Sequence, residues 1–296
     1  MATKQQKEAL DYFNENAHDW RSKAEGDGRL RVNIINQRNE FVLRVADERQ
    51  VMNTFLDVGC GTGELVCEMA LKGIASTGID YAGEMIDLAS KKAADAAVDG
   101  ANFICSSIFD VPIQKESYDL ISANGFIEYI SLEEMVSFFK IVSQALVRGG
   151  SFVVGSRNRL FNIFSMNDYL LMELGVGAAD HLLKESIALA QANDLSEVLH
   201  MPSAPLQEPD TEHAKTGIGV STRFQYTPLQ LIKILKEKGL SAEEVYPAHI
   251  HGVPPAFRQD HPETHASIAN LLQNHARGGM RFLPQASSFM LHVRKD

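Results

Sequence analysis

The residues best suited to chemistry lie in one short loop, Asp57-Val58-Gly59-Cys60-Gly61-Thr62-Gly63, and at Asp80. The apolar run before the loop reads as a buried strand, and the run after it as a helix. Gly59, Gly61 and Gly63 let the chain turn sharply where any Cβ would obstruct a bound ligand. Asp80 ends the next strand, placed to accept hydrogen bonds from both hydroxyls of a ribose. Two nucleoside cofactors compete for such a loop. A dinucleotide brings G-x-G-x-x-G, with its pyrophosphate on the helix N-terminus. Here the third glycine comes one residue early, and Asp57 enters ahead of the glycines. A carboxylate there would repel a pyrophosphate, whereas it suits a cofactor that carries an ammonium and a sulfonium.

The elements that must position these residues follow a regular rhythm. Strands are predicted over 54–58, 74–80, 101–107, 118–124 and 151–156, with helices over 64–72, 83–97 and 131–146 between them. Ser131 with Glu134 three residues on forms a capping box, and "RGG" (Arg148–Gly150) is expected to stop that helix. Residues 157–226 hold no clear strand; 161–175 and 181–192 look helical, and 201–212 is a proline-rich loop. Thr227 then caps a helix with Pro228 at its first position, and 242–250 and 287–295 are the last strands. Before all this, Ile34, Ile35, Phe41, Val42 and Val45 form one face of a helix, and "EGDGR" (Glu25–Arg29) breaks the leader in two. Alternation of this kind makes parallel βαβ units with right-handed crossovers.

"FLDVGCGTGELV" resembles the first motif of the class I S-adenosylmethionine-dependent methyltransferases, and the chain agrees with that family over residues 50–155. The resemblance implies that Asp57 and the backbone of Gly59, Cys60 and Gly61 run along the methionine part, and that Asp80 binds the ribose. "DYAGEMIDLA" is similar to the second motif, which puts Tyr81 and Met85 against the adenosine. "SSIFDVPIQKESYDLI" is similar to the third, with Ser107 in place of the usual acid and Ser107 and Ile108 at the adenine edge. "ANGFIEYI" resembles the stretch after strand four, with Asn124 at the cofactor and Tyr129 where many relatives have histidine. "YFNENAHDW" and "NQRNEFVL" look like the leader of small-molecule O-methyltransferases of the ubiquinone-biosynthesis type. By that likeness Tyr12, Trp20 and Arg38 come from helices that close over the cofactor; aromatic packing is the plainer role for Tyr12 and Trp20.

The implied architecture is a doubly wound, mostly parallel, seven-stranded Rossmann-like α/β sheet. It divides into a helical leader (1–50), a cofactor-binding half (51–156), a helical insertion or lid (157–226) and the remainder of the sheet domain (227–296). A methyl acceptor would bind beyond the carboxyl ends of the strands. His249 and His251 stand two apart at a strand end, so their side chains point to opposite faces and one of them faces the cleft as a general base. A histidine satisfied by local hydrogen bonds is the competing reading. A metal would need a further ligand from His213 or His261, which no spacing demands, so none is expected. Arg157 and Arg159 could bind a carboxylate or phosphate of the acceptor, with solvated surface arginines as the commoner reading. Arg223 and Tyr226 are further candidates at the cleft, and Tyr129 is a catalytic candidate that could reach the transferred methyl or equally pack under the cofactor. Phe161, Phe164, Met166, Tyr169, Leu170 and Met172 could line a lid over an apolar acceptor, with ordinary core or dimer contacts as the alternative.

Composition sets the outer bounds. A net charge of -10 has the wrong sign for a general polyanion binder. Cys60, Cys67 and Cys105 form no C-x-x-C pair, so free thiols in a reducing compartment are expected. No signal-peptide pattern and no apolar run near 18 residues occur, which points to a cytoplasmic protein without a membrane span. The expected function is methyl transfer from S-adenosylmethionine to a hydroxyl, or secondly an amine, of a small metabolite, with a homodimer allowed. A nicotinamide-dependent oxidoreductase and a non-catalytic S-adenosylmethionine-binding regulator are the alternatives.

Overall fold

The computed structural model describes residues 4–25, 32–49, 51–207, 220, 223–276 and 279–296. The expected turn at Gly26–Arg29, the end of the proline-rich loop, His213 and Ser221–Thr222 lie outside the described residues. Helices α1 (Lys4–Glu15), α2 (Ala17–Glu25) and α3 (Ile34–Asp47) lead into β1 (Thr54–Val58). There follow α4 (Glu64–Leu71), β2 (Ala75–Asp80), α5 (Gly83–Asp95), β3 (Ala101–Cys105) and β4 (Tyr118–Asn124). Next come α6 (Leu132–Ala145), β5 (Leu146–Arg157), α7 (Asp168–Gly175) and α8 (Ala179–Gln191). The chain closes with α9 (Pro228–Lys236), β6 (Leu240–Ile250), α10 (Pro255–Arg258), α11 (Pro262–His275) and β7 (Ala286–Lys295).

The seven strands lie in the order β3-β2-β1-β4-β5-β7-β6. Pairs among the first five are parallel, while β7 runs antiparallel to both β5 and β6. Strand order reverses between β1 and β4, and a crevice opens beyond their carboxyl ends. Each inner strand divides its side chains between two cores. Leu56 and Val58, Ile121 and Phe152 face α6 and α9 with Phe138, Phe139 and Leu235. Phe55, Leu120, Val153 and Met290 face α3 and α4 with Phe41, Val45, Leu65 and Met69. Both faces of the sheet are therefore covered.

The capping expectations hold. The Ser131 hydroxyl accepts from the Glu134 N–H at 3.2 Å while the Glu134 carboxylate accepts from the Ser131 N–H at 2.9 Å. Thr227 and Gln230 make the same reciprocal pair at the start of α9, with Pro228 at N1. Two expectations are corrected, and one unassigned stretch acquires structure. Arg148–Gly150 does not stop α6, which ends at Ala145; those residues are already in β5, at an irregularity in its pairing with β4. Residues 159–164 form a 3-10 turn rather than the start of one long helix, because Asn158 and Asn167 each cap a separate segment. Residues 251–285, unassigned by periodicity, hold α10 and α11, whose first turns are set by Pro255 and Pro262.

The insertion is fastened by a buried ion pair. Arg159 meets Glu173 bidentately, at 2.9 and 2.7 Å, and also donates to the Pro205 carbonyl. Asn162 bridges Glu173 and Gln225 at 2.8 and 2.6 Å. Arg159 is thus occupied inside the protein and is not the acceptor-binding cation that its position after β5 suggests. None of the described helices is long and apolar enough to cross a membrane. Because removing one partner strands the other charge in the interior, Glu173→Gln is expected to lower unfolding free energy by about 3–5 kcal/mol. Urea unfolding of the two proteins checks this, with an unchanged midpoint as the contrary outcome.

Candidate cofactor and acceptor site

The crevice holds a cavity of about 600 Å³, within the usual size range of small-molecule sites. Its floor is the glycine loop. Gly59, Gly61 and Gly63 all have positive φ, at 72°, 53° and 77°. The Gly59 and Cys60 N–H groups donate to the Ile79 carbonyl at 2.8 and 3.2 Å, which ties the loop to the end of β2. A Cβ on Gly61 would meet nothing within 4 Å and would project into open space. Gly63 differs: it does not line the cavity, and a Cβ there would lie 2.7 Å from Phe103 and 2.8 Å from Ala89. Its lack of a side chain serves helix–strand packing rather than ligand approach, which corrects its expected role.

Two carboxylates flank this loop. Asp80 accepts from the Gly61 N–H and the Ala82 N–H, each at 3.0 Å. Burial raises its pKa, and the backbone donors work against that rise. Asp57 is buried at the end of β1 and accepts a hydrogen bond from the Ser122 hydroxyl. Desolvation pushes Asp57 up to about 7, with the nearby Asp80 and Glu64 adding to the effect. A cationic group placed beside these acids would relieve both.

The leader roofs the cavity. Leu10 and Phe13 of α1 and Trp20 of α2 pack against Met85 and Leu88 of α5, and Leu10, Phe13, Trp20 and Met85 all line the cavity. Tyr12 does not line it; its ring packs edge-on against Phe13 at 5.4 Å. Tyr81, Ser107, Ile108, Asn124, Arg38 and Tyr129 are on the lining, as their motifs lead one to expect. Asp110 joins them, an acid three residues past Ser107 that motif reading passed over. Among the described residues, Trp20 Nε1, Arg38 Nε and Asn124 Oδ1 are buried polar atoms of the lining without a hydrogen-bond partner. Buried groups of this kind are normally satisfied, so a polar ligand fits here.

A second charged assembly borders the cavity, and sequence reading missed its centre. Glu128, fully buried on the 3-10 turn after β4, accepts from Arg223 Nε at 2.7 Å and from the Arg157 N–H at 2.9 Å. Arg38 stands 3.5 Å from the same carboxylate and donates to Ser288 at 2.5 Å. Gly125 makes room for it, since a Cβ there would lie 2.8 Å from Arg38 Nη1. Arg223 lies over the Tyr129 ring at 5.4 Å, and Arg157 over Tyr169 at 5.3 Å. Arg38 and Arg223 line the cavity; Arg157 does not. The one sequence signal for Glu128 was a lone acid in the apolar run Gly125–Ile130.

The remaining candidates fall elsewhere. Tyr226 is in the core, beside Phe224, and its backbone brackets Arg157 and Arg159. None of Phe161, Phe164, Met166, Tyr169, Leu170 and Met172 lines the cavity. His249 and His251 do not line it either. Their side chains do not alternate, because His249 has φ of +54° and brings the two rings into a stack at 4.4 Å. Burial lowers their pKa values to about 3 and about 2, so both are neutral and feeble as bases at pH 7. The expected general base is thus not supplied by this pair.

The two loop glycines separate packing from ligand approach. Gly61→Ala is expected to cost about 1–2 kcal/mol, from left-handed backbone alone. Gly63→Ala adds overpacking against Phe103 and Ala89, for a total of roughly 2–4 kcal/mol. Equal losses in denaturant unfolding would contradict this assignment.

The comparisons with known proteins agree with this geometry. Residues 56–154 match the family model of a methyltransferase domain. Ubiquinone biosynthesis O-methyltransferase from Methylobacterium sp. is 31% identical over 113 residues, 38% of this chain and 44% of that one. The chain thus spans less than half the length of that relative. The protein of the same name from Hydrogenovibrio crunogenus is 26% identical over 184 residues, 60% of this chain and 74% of its own. Magnesium protoporphyrin IX methyltransferase from Synechocystis PCC 6803, solved with bound SAM, has a TM-score of 0.56 at 15% identity, covering 100% of this chain and 99% of that one. The cyclase SpnF reaches the same TM-score, 0.56, at 16% identity, over 99% and 96% of the two chains. At such identities these two structures speak for the fold alone. Residues 56–154, laid on a sheet of this order, thus match a methyltransferase domain, and S-adenosylmethionine is the cofactor that this match supports.

Proposed function

We propose that this protein is an S-adenosylmethionine-dependent methyltransferase acting on a small molecule, with a hydroxyl as the first-choice acceptor and an amine as the second. The observation that carries the reading is the pair of acids, buried Asp57 and half-buried Asp80, on either side of a glycine loop open to a cavity. Asp80 would accept from the ribose hydroxyls with the lone pairs its two backbone donors leave. Asp57 would face the ammonium of the methionine part, over the backbone of Gly59, Cys60 and Gly61. Met85 and Ile108 would hold the adenine, with Ser107 and Asp110 at its edge. Bound S-adenosylmethionine supplies an electrophilic methyl group on a sulfonium.

What the chain itself contributes is orientation and exclusion of water. Leu10, Phe13 and Trp20 form an apolar roof from the leader, and the described part of the insertion contributes only Arg223 to the lining. Arg38 and Arg223 lend positive potential, which suits an acceptor that carries or develops negative charge on oxygen. Burial raises the Tyr129 hydroxyl above its ordinary range even beside these arginines. Tyr129 would therefore stay protonated and position the acceptor as a hydrogen-bond donor. A homodimer could cover the exposed apolar side chains of Leu171, Leu174 and Val176.

The curated relatives' names favour oxygen as the accepting atom, though a ubiquinone/menaquinone biosynthesis C-methyltransferase from Geotalea daltonii also matches, over 23% of this chain. The fold is shared with a cyclase, so a role that binds the cofactor without methyl transfer is the second reading. A nicotinamide enzyme is disfavoured by the sheet order, since a dinucleotide fold has strand six where this chain inserts an antiparallel β7.

Calorimetric titration tests the proposal: micromolar binding of S-adenosylmethionine and S-adenosylhomocysteine is expected, and none of NADH. Binding of NADH alone would overturn it. Transfer of labelled methyl to an acceptor panel then separates the enzyme from the non-catalytic reading. Asp80→Asn should weaken cofactor binding by about 1–3 kcal/mol through lost charged hydrogen bonds. The pH profile has a definite sign. A cationic ligand prefers ionised Asp57, so binding below about 7 must release the proton that burial keeps on this carboxyl. Affinity is expected to fall as pH drops from 7.5 to 5.5, by up to about tenfold per unit, and Asp57→Asn to flatten the profile. An identical slope in that variant would remove Asp57 from the cofactor site.

A further inference from the structure

Outside the cavity, at the carboxyl end of β6, three histidines converge: His249, His251 and His265. Each offers one ligand atom, and these atoms all lie within 4.8 Å of one another. The chain is built to bring them together. The positive φ of His249 turns the strand end so that the first two rings stack. Gly252 then lets α11 seat directly on the turn, since a Cβ there would lie 2.7 Å from the His265 carbonyl and 2.7 Å from Ile268. The His265 ring completes the group edge-on, 5.0 Å from that of His251.

The hydrogen bonding of the cluster is incomplete in a way that points outward to a ligand. His251 is only 9% exposed, and His265 only 5%. Yet neither ring nitrogen of His251, nor Nδ1 of His265, has a hydrogen-bond partner among the described residues. The Val253 backbone lies near His251 without reaching hydrogen-bond geometry. A neutral imidazole carries one donor and one acceptor, and leaving both unmet in the interior is rare. His249 is arranged differently. Its Nδ1 is 3.0 Å from the Ser287 hydroxyl, which leaves Nε2 for another partner and fixes the ring. Its backbone N–H donates to Gln37 at 2.7 Å, the residue beside cavity-lining Arg38 on α3.

We propose that His249, His251 and His265 form a binding site for a divalent first-row transition ion, with Zn²⁺ as the ion that three imidazoles suit best. Neutral imidazole nitrogens are the donors such ions take, and three of them leave a fourth position for water or an anionic oxygen. The Ser287 contact is the outer-shell bond that orients a ligating ring. Ligand atoms in a tetrahedral zinc site lie roughly 3.4 Å apart, from Zn–N of about 2.1 Å, so small side-chain rotations would close the present spread. Arg258 and Arg38 are the described cations near the cluster. Arg258 is exposed, so solvent and salt screen its repulsion of an incoming ion.

The test uses the full chain, freed of metal by chelation and dialysis. Calorimetry with Zn²⁺ is expected to give one equivalent bound, and Co²⁺ to give d–d absorption without a thiolate charge-transfer band. His251→Gln and His265→Gln should each weaken binding by at least about tenfold, the lower end of what even an outer-shell change costs. His275→Gln, on the exposed end of α11, should leave it unchanged. No binding by the unaltered protein, binding that survives His251→Gln, or a cobalt–thiolate band would each overturn the site. If either glutamine variant does not fold, the cobalt spectrum of the unaltered protein decides by itself.

Discussion

One buried carboxylate gathers the parts of this protein that lie far apart in the chain. Glu128, with no exposed surface, holds Arg223 and the Arg157 N–H and stands beside Arg38. Its backbone carbonyl also accepts from the Phe224 N–H. The leader, the end of β5 and the return from the insertion therefore meet on a single turn after β4. A buried charge must be paired or it will not be tolerated, and here the pairing sets where Arg38 and Arg223 reach the cavity. Replacing it by an apolar residue would leave arginines crowded together with nothing between them.

The same low-dielectric interior drives acids at the cavity and histidines outside it in opposite directions. Burial favours the neutral form of each, so Asp57 rises to about 7 while His249 falls to about 3. The acids by the glycine loop become a place that a cation would stabilise. The histidines become neutral donors, unfit as bases and fit as ligands. Proximity in the fold thus separates two roles that residue type alone would confuse.

The reversed strand β7 has a comparable organising effect. Lying between β5 and β6, it lets Ser287 and Ser288 face His249 and Arg38 respectively. The histidine cluster and the arginine group are in this way served by adjacent residues of one strand. The described part of the insertion reaches the cavity through Arg223 and is held by Arg159 and Glu173 in a pair that satisfies nearly all of its own polar atoms. The cavity roof comes from the leader instead.

Much of the fold was legible in order of residues alone. The alternation of apolar runs with amphipathic helices marked β1 to β5, the capping boxes at Ser131 and Thr227 marked two helix starts to the residue, and the loop that follows Asp57, with Asp80, marked the floor of the cavity. These signals are local: a period of two or 3.6, a cap three residues from its partner, a turn that demands glycine. Tertiary structure alone decided what depends on distant segments meeting. Gly63 turned out to be a packing glycine because Phe103 comes to lie behind it. Arg159 became structural because Glu173 folds back to it, Tyr226 went to the core, and Glu128 became a hub for arginines 90 and more residues away along the chain. His249 and His251 lost their alternation to one positive φ and gained His265 from a helix that periodicity did not announce. Electrostatics and burial act through space, and no spacing along the chain encodes which charges the fold will bring together.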